Sequence, residues 1–146
     1  MLLPTHLAAG LIIGKLTGDY SAAFIGSVAV DLDHFFAFYS SHVLLKVKKI
    51  ILATTKQNFL VNNQRNYFHN IFFFLAASAS ALIIDFNAGL IFSLAYLVHL
   101  IFDALDNQTY FPFYPSKKIS LRGPIKYFSK QEIIFALALF FIFLIV

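Results

Sequence analysis

The chain has 146 residues, of which 60% are hydrophobic and only 12% are charged. Soluble domains are about 25% charged, and a small chain needs a polar surface because its surface is large relative to its volume. The composition therefore argues against a free soluble globule, a disordered chain or a nucleic-acid-binding module, despite the net charge of +4. There is no cysteine, so histidine and carboxylate side chains would have to hold any metal ion.

Five apolar runs, separated by polar residues, follow one another along the chain. A transmembrane helix needs about 20 apolar residues, and several of these runs are shorter than that. We therefore expect an all-α protein, with a single integral membrane helical domain over residues 1–146 that forms a small bundle of about five helices, some short or re-entrant. The runs are 4–17, 20–39, 68–84, 88–105 and 133–146.

The basic residues predict how the chain sits in the cell membrane. Ten of the 11 Lys and Arg residues lie in two loops, after the second and the fourth run. The positive-inside rule places such loops in the cytoplasm, which predicts a multi-pass protein with its C-terminus outside. Besides the lipid bilayer itself, anionic lipid head groups are the expected partners of these loops. The ten residues are Lys46, Lys48, Lys49, Lys56, Arg65, Lys117, Lys118, Arg122, Lys126 and Lys130.

Eight ionisable residues interrupt or flank the apolar runs, and in this topology all of them approach the cytoplasmic end. Ionisable groups at membrane depth usually face a partner or a water-filled cavity, so we expect them to face one another. His99 and Asp103 share one helical face, as do Asp31 and His34. Imidazole and carboxylate are suitable ligands for Zn²⁺, and also for Mn²⁺ or Fe²⁺. The eight are His6, Asp31, Asp33, His34, His69, His99, Asp103 and Asp106.

Simpler interpretations of the same residues stay open. The segment from Asp31 to His34 is also consistent with a helix end that leads into a solvated loop. His99 and Asp103 are consistent with a hydrogen-bonded helix pair that holds no metal, and His69 with the interfacial first turn of a helix. We expect His6 at the rim of the cluster and His42 away from it.

Several short motifs, taken in order, resemble a known family. They are similar to those of the membrane-bound metal-dependent hydrolases, also described as LexA-binding, inner-membrane-associated hydrolases. Gln64, Phe68 and Asn70 depart from the family's His-Arg-Gly-x-Thr-His-Ser pattern, which leaves one histidine fewer to bind metal, and Val30 stands where a Pro is common. The matching motifs are Pro4-Thr5-His6, Asp31-Leu32-Asp33-His34, Arg65 to Asn70, His99 to Asp103 and Phe111 to Pro115.

The resemblance implies a membrane-embedded hydrolase in which a divalent metal, Zn²⁺ or else Mn²⁺ or Fe²⁺, activates water against a small substrate of the phosphoester type near the cytoplasmic interface. Asp33 is expected to be a ligand, an orienting group or a proton acceptor, and Arg65 to hold a phosphate or carboxylate group. One alternative is a non-catalytic protein that binds or passes a cation or protons; another is a structural polar cluster. The expected metal ligands are His6, Asp31, His34, His69, His99 and Asp103.

Overall fold

The computed structural model describes residues 1–34, 39 and 67–146. This part of the chain contains five α-helices, which confirms the all-α prediction, and a short 3₁₀ turn, Ala29–Asp31, that follows the second helix. Within the described residues no strand longer than an isolated bridge occurs. The helices are α1 (Leu3–Thr17), α2 (Tyr20–Val28), α3 (Ile71–Ile84), α4 (Phe86–Leu105) and α5 (Lys130–Ile145).

Polar residues between the apolar runs fix the helix ends. Gly18 ends α1 in a left-handed conformation, φ 80°, and its N–H donates to the Gly14 carbonyl at 2.8 Å, a common way to end a helix. Each of the other four helices begins with a side chain that accepts a hydrogen bond from a backbone N–H of the first turn. These N-cap residues are Asp19, Asn70, Asp85 and Ser129.

Two helix boundaries differ from the sequence prediction. The third run was expected to be helical from Phe68, but α3 begins at Ile71 because the Asn70 side chain caps it there, accepting from the Phe73 N–H at 2.8 Å. The second apolar run, 20–39, is not one regular helix. Helix α2 ends at Val28, the chain passes through the 3₁₀ turn, and residues 32–34 are α-helical again.

Close packing of small residues holds the bundle together. Helix α2 lies between α1 and α4, α3 packs on α4, and α5 packs on α1. At Gly26 the backbones of α2 and α4 approach so closely that a Cβ atom would overlap the carbonyl oxygen of Phe92. Small residues of this kind are common at contacts between membrane helices because they let two backbones approach each other.

The buried interior is unusually polar, whereas the exterior is apolar. Two small groups of apolar side chains, one around Tyr96 and Leu100 and one around Ala23 and Ala95, form the hydrophobic core. Large apolar side chains are exposed on all five helices, most densely along α5. An exposed apolar surface of this extent indicates contact with lipid. The buried polar residues are Thr5, His6, Ser27, Asp33, His69, Asn70, Ser78, His99, Asp103, Asp106 and Glu132.

Among the described helices, only α4, with 20 residues, is both long and apolar enough to cross a membrane by length and composition. Helix α3 is apolar but has 14 residues. The short runs expected from the sequence are therefore short helices in the structure. The multi-pass topology and the orientation of the basic loops stay predictions.

The segment between α4 and α5 folds back on the cluster end of the bundle. Tyr110 and Leu121 exchange backbone hydrogen bonds of 3.0 and 2.8 Å, and the Asn107 N–H donates to the Ile125 carbonyl at 2.8 Å. The Pro112 carbonyl accepts from the Ile71 N–H, also at 2.8 Å. This segment therefore fixes the start of α3, where His69 lies.

Candidate metal centre

Seven ionisable side chains from four separate segments meet where α1 and α3 begin and α2 and α4 end. Helix α1 contributes one, the 3₁₀ turn and the residues after it contribute three, the turn before α3 contributes one, and α4 contributes two. The structure thus brings together residues that are far apart in the sequence. They are His6, Asp31, Asp33, His34, His69, His99 and Asp103.

The centre of the cluster is a pair of imidazoles whose Nε2 atoms face each other. The Nε2 atoms of His69 and His99 are 3.2 Å apart. On the far side of each ring, Nδ1 of His99 donates to the Ser27 carbonyl at 2.7 Å, and Nδ1 of His69 donates to the Asp33 carboxylate at 3.1 Å. Since each Nδ1 carries a hydrogen, each neutral ring presents a lone pair at Nε2. Two neutral rings in this arrangement need a cation between their lone pairs, either a proton or a metal ion.

Asp103 contacts three of the histidines. Its Oδ2 lies 3.2 Å from Nε2 of His69 and 3.7 Å from Nε2 of His99, while its Oδ1 lies 3.4 Å from Nε2 of His6. Oδ1 also accepts a hydrogen bond from the amino group of Met1. Both carboxylate oxygens of this fully buried side chain are therefore directed at the cluster.

His6 lies inside the cluster, not at the rim where the sequence analysis placed it. Its ring is completely buried and stacks on His99 with 3.7 Å between the ring centroids. Within the described residues neither of its ring nitrogens has an aligned hydrogen-bond partner. The reason for the difference is that α1 begins at Leu3 and packs against α2 and α4, so that its first turn reaches the centre of the bundle.

Asp31 and His34 form the more open edge of the cluster. Asp31 Oδ1 is 3.3 Å from Nε2 of His34, 3.6 Å from Nε2 of His69 and 3.7 Å from Nε2 of His99. The side chains of Asp31 and His34 are 16% and 24% exposed, whereas His69 is fully buried. Asp31 and His34 are therefore the most exposed of the seven side chains.

These distances fit a metal centre. Zn–N bonds of about 2.0–2.1 Å put two ligand atoms of a tetrahedron roughly 3.3 Å apart, close to the 3.2–3.7 Å separations in the cluster. Three overlapping triads each have their ligand atoms within 4.8 Å of one another. They are His6–Asp31–His99, Asp31–His34–His69 and His69–His99–Asp103.

Asp33 contacts His69 at the ring nitrogen that points away from the other imidazoles. Its Oδ2 also accepts the Phe68 N–H at 2.7 Å. A carboxylate at this position fixes the tautomer and the orientation of a ligating imidazole and raises its basicity. Of the three roles considered for Asp33, its contacts fit that of an orienting group. A regular helix would have directed this side chain away from Asp31.

The electrostatics of His69, in the turn before α3, reflect its three acidic neighbours. Burial lowers the pKa of its imidazole, but hydrogen bonds with Asp103, Asp31 and Asp33 outweigh burial and raise the pKa to about 10. In the absence of a metal ion, a proton on His69 therefore supplies positive charge to the surrounding carboxylates, in addition to the amino group of Met1 at Asp103.

Three further residues at this end of the bundle make contacts that the sequence did not predict. The Ser27 carbonyl orients His99, and the Tyr96 hydroxyl donates to the Phe68 carbonyl. Glu132 is completely buried and accepts the backbone N–H groups of Leu2 and Phe128 at 2.6 and 2.7 Å. No side-chain pattern points to a backbone carbonyl, whereas an acidic residue next to an apolar run was a signal that could have been used.

Three other predicted residues have different outcomes. Asp106 lies just beyond α4 as its C-cap residue, is buried, and accepts the Gln108 N–H at 3.1 Å. Arg65 and His42 lie outside the described residues.

The apolar exterior and the buried His/Asp cluster mark the described part of the chain as a small α-helical bundle of the kind found in membranes. The family model described as YdjM inner membrane protein matches residues 1–146. The chain therefore belongs to the YdjM inner membrane protein family. Comparison with curated proteins and with solved structures gives no match.

Proposed function

We propose that this inner membrane protein is a divalent-metal-dependent hydrolase whose His/Asp cluster holds the metal. The observation that carries the proposal is the pair of Nε2 atoms, 3.2 Å apart, each with its hydrogen committed to Nδ1 on the far side of the ring. A cation between the two Nε2 atoms satisfies both rings, and a metal ion there would have the adjacent Asp103 carboxylate as a third donor. The donors suit Zn²⁺, and also Mn²⁺ or Fe²⁺.

The chain's own residues would each have a definite task in this function. Such an ion supplies Lewis-acid polarisation of an ester and activation of water. Ser27 and Asp33 hold His99 and His69 with their lone pairs directed inwards. Burial of His6, His69 and Asp103 excludes bulk water from one side, while the Asp31 edge admits substrate.

A phosphoester is the proposed substrate class. The sequence places Arg65 four residues before His69, and a guanidinium group there would bind a phosphate group through two hydrogen bonds. The proposed topology, with both basic loops in the cytoplasm, puts the cluster near the cytoplasmic interface, where lipid head groups and soluble phosphoesters are both within reach.

Metal analysis of the detergent-purified protein tests this proposal. We expect at least one divalent ion per chain in the wild type, and an affinity lowered by at least about 10–100-fold in His99→Ala, because loss of a direct ligand should cost no less than loss of an orienting group. His42→Ala is the matched histidine control and should keep the metal. A wild-type protein that takes up no Zn²⁺, Mn²⁺ or Fe²⁺ under anaerobic reconstitution would contradict the proposal.

A second measurement separates hydrolysis from ion passage. The metal-loaded wild type should hydrolyse a model phosphodiester, and His99→Ala should not. The same preparations in liposomes should pass neither protons nor divalent ions. Flux that depends on His99 without any turnover would favour the cation-binding or cation-passing alternative.

A further inference from the structure

We propose that the cluster is built for two adjacent divalent ions bridged by Asp31 and Asp103. This inference rests on the proposed function, because it assumes that the cluster binds metal at all. It concerns how many ions are bound and how the donors divide between them. The relevant observations are the number of donors, the way that the triads overlap and the directions of the two carboxylates.

The cluster has more donors than one catalytic ion uses. Four imidazoles and two carboxylates appear in the three triads. A catalytic zinc takes three protein ligands and keeps one position open for water or substrate. Six donors are therefore twice the number needed, and an ion held only by His69, His99 and Asp103 would leave the remaining histidines without a role.

His6 is the clearest sign of a second position. A fully buried imidazole costs free energy unless its nitrogens are hydrogen-bonded or bound to a cation. Both ring nitrogens of His6 are buried and lack an aligned hydrogen-bond partner among the described residues. The ring is held in place by stacking on His99, and its Nε2 is directed at the Asp103 carboxylate.

Two of the three triads divide the histidines into two pairs with one carboxylate in common, and the third, His69–His99–Asp103, joins the two pairs. Asp31 forms one triad with His6 and His99, and another with His34 and His69. The Oδ1 atom of Asp31 lies within 3.7 Å of the Nε2 atoms of His34, His69 and His99. This one oxygen lies between the two pairs, where two ions could share it.

Asp103 repeats this relationship on the buried side of the cluster. Its Oδ1 faces His6 of the first pair, and its Oδ2 faces His69 of the second pair. The two pairs touch through the Nε2 atoms of His69 and His99 at 3.2 Å. Two-metal hydrolytic sites hold their ions about 3.5–4 Å apart, a separation that one carboxylate spans with its two oxygens.

The charges of the described cluster agree with two ions. Asp31, Asp33 and Asp103 bring three negative charges into contact with the imidazoles, and the Met1 amino group beside Asp103 is balanced by Asp106. Two divalent ions would leave a net charge of about +1, which suits a hydroxide or a phosphate group, whereas one ion would leave about −1 and repel both.

Metal stoichiometry and magnetic coupling decide between one ion and two. The full chain in detergent is titrated with Mn²⁺ to saturation, and bound metal per chain is measured by elemental analysis beside the electron paramagnetic resonance spectrum. We expect two ions per chain and an exchange-coupled spectrum. His34→Ala should retain about one ion with the spectrum of isolated Mn²⁺, and His42→Ala should retain two coupled ions.

The wild-type measurement alone can overturn the inference, even if a variant fails to fold. A saturating value of one uncoupled Mn²⁺ per chain overturns the two-ion arrangement and leaves the proposed function intact. A value of zero for Mn²⁺, Zn²⁺ and Fe²⁺ alike overturns both. Two ions that show no coupling would mean that the second ion lies away from Asp31 and Asp103, which also contradicts the bridge.

Discussion

Replacing Asp33 by asparagine tests whether this carboxylate tunes the proposed metal centre or merely supports the fold. Asp33 Oδ2 accepts two hydrogen bonds, from Nδ1 of His69 at 3.1 Å and from the Phe68 N–H at 2.7 Å. In Asp33→Asn the amide oxygen can still accept both. The negative charge behind the His69 ring is lost, and with it part of the basicity of Nε2.

The expected effect is a loss of metal affinity with little loss of stability. Removing the partner that orients a ligating histidine typically costs 10–100-fold in affinity, which corresponds to about 1.4–2.8 kcal/mol. Because both hydrogen bonds can form in the variant, the thermal unfolding midpoint of the metal-free protein should change little. Titration with Zn²⁺ against a competing chelator measures the affinity, and circular dichroism in detergent measures the midpoint.

Asp85→Asn is the matched control. Asp85 caps α4, accepting the Ala88 N–H at 2.9 Å, and asparagine caps helices about as well as aspartate. The cap lies 14 residues before His99 along the chain, roughly 20 Å at 1.5 Å per helical residue. An unchanged affinity in Asp33→Asn, or an equal fall in Asp85→Asn, would refute the orienting role.

Gly26→Ala should destabilise the protein by about 1–3 kcal/mol, because the new methyl group overlaps the Phe92 carbonyl; the exposed Ser21→Ala on the same helix should be neutral in the same denaturation assay. Glu132→Ala should cost about 1–3 kcal/mol for each N–H group left without its acceptor, and an unchanged unfolding midpoint would contradict this. Reporter fusions within either basic loop should report the cytoplasm, and a periplasmic signal from one of them would contradict the topology.

The helices could be predicted because their signals are local. Apolar runs set the helix lengths, and short polar residues such as Asp19 and Asp85 mark their starts. The meeting of His99 and Asp103 follows from their spacing of four residues on one helix. The approach of Asp31 to His99 and Asp103 could also be expected. The basic loops predict the direction of every run, and in that topology the second and fourth runs end on the same side of the membrane.

The finer arrangement of the cluster depends on contacts that no local pattern encodes. Regular helical geometry separates Asp33 from Asp31 by about 200° around the helix axis. The 3₁₀ turn interrupts the regular helix, and the Asp33 carboxylate accepts hydrogen bonds from the Phe68 N–H and from His69. The Ser27 carbonyl that orients His99 was equally hidden, because every residue has a carbonyl group. Such partners become visible only when the packing of α2 on α4 is known.

The close approach of α2 and α4 at Gly26 links the packing of the bundle to the chemistry of the cluster. It brings the carbonyl of the next residue, Ser27, to 2.7 Å from Nδ1 of His99, so a larger side chain at residue 26 should disturb the imidazole as well as the helix contact. The turn with His69 is held in a similar way at Phe68, whose N–H donates to Asp33 and whose carbonyl accepts from the Tyr96 hydroxyl.

Burying so many ionisable groups is costly, and apolar side chains of similar volume usually stabilise a fold at least as well. Helix register alone therefore does not account for two imidazoles held with their lone pairs facing each other, whereas the proposed metal ions would offset the cost of burial and explain why both rings are oriented from behind.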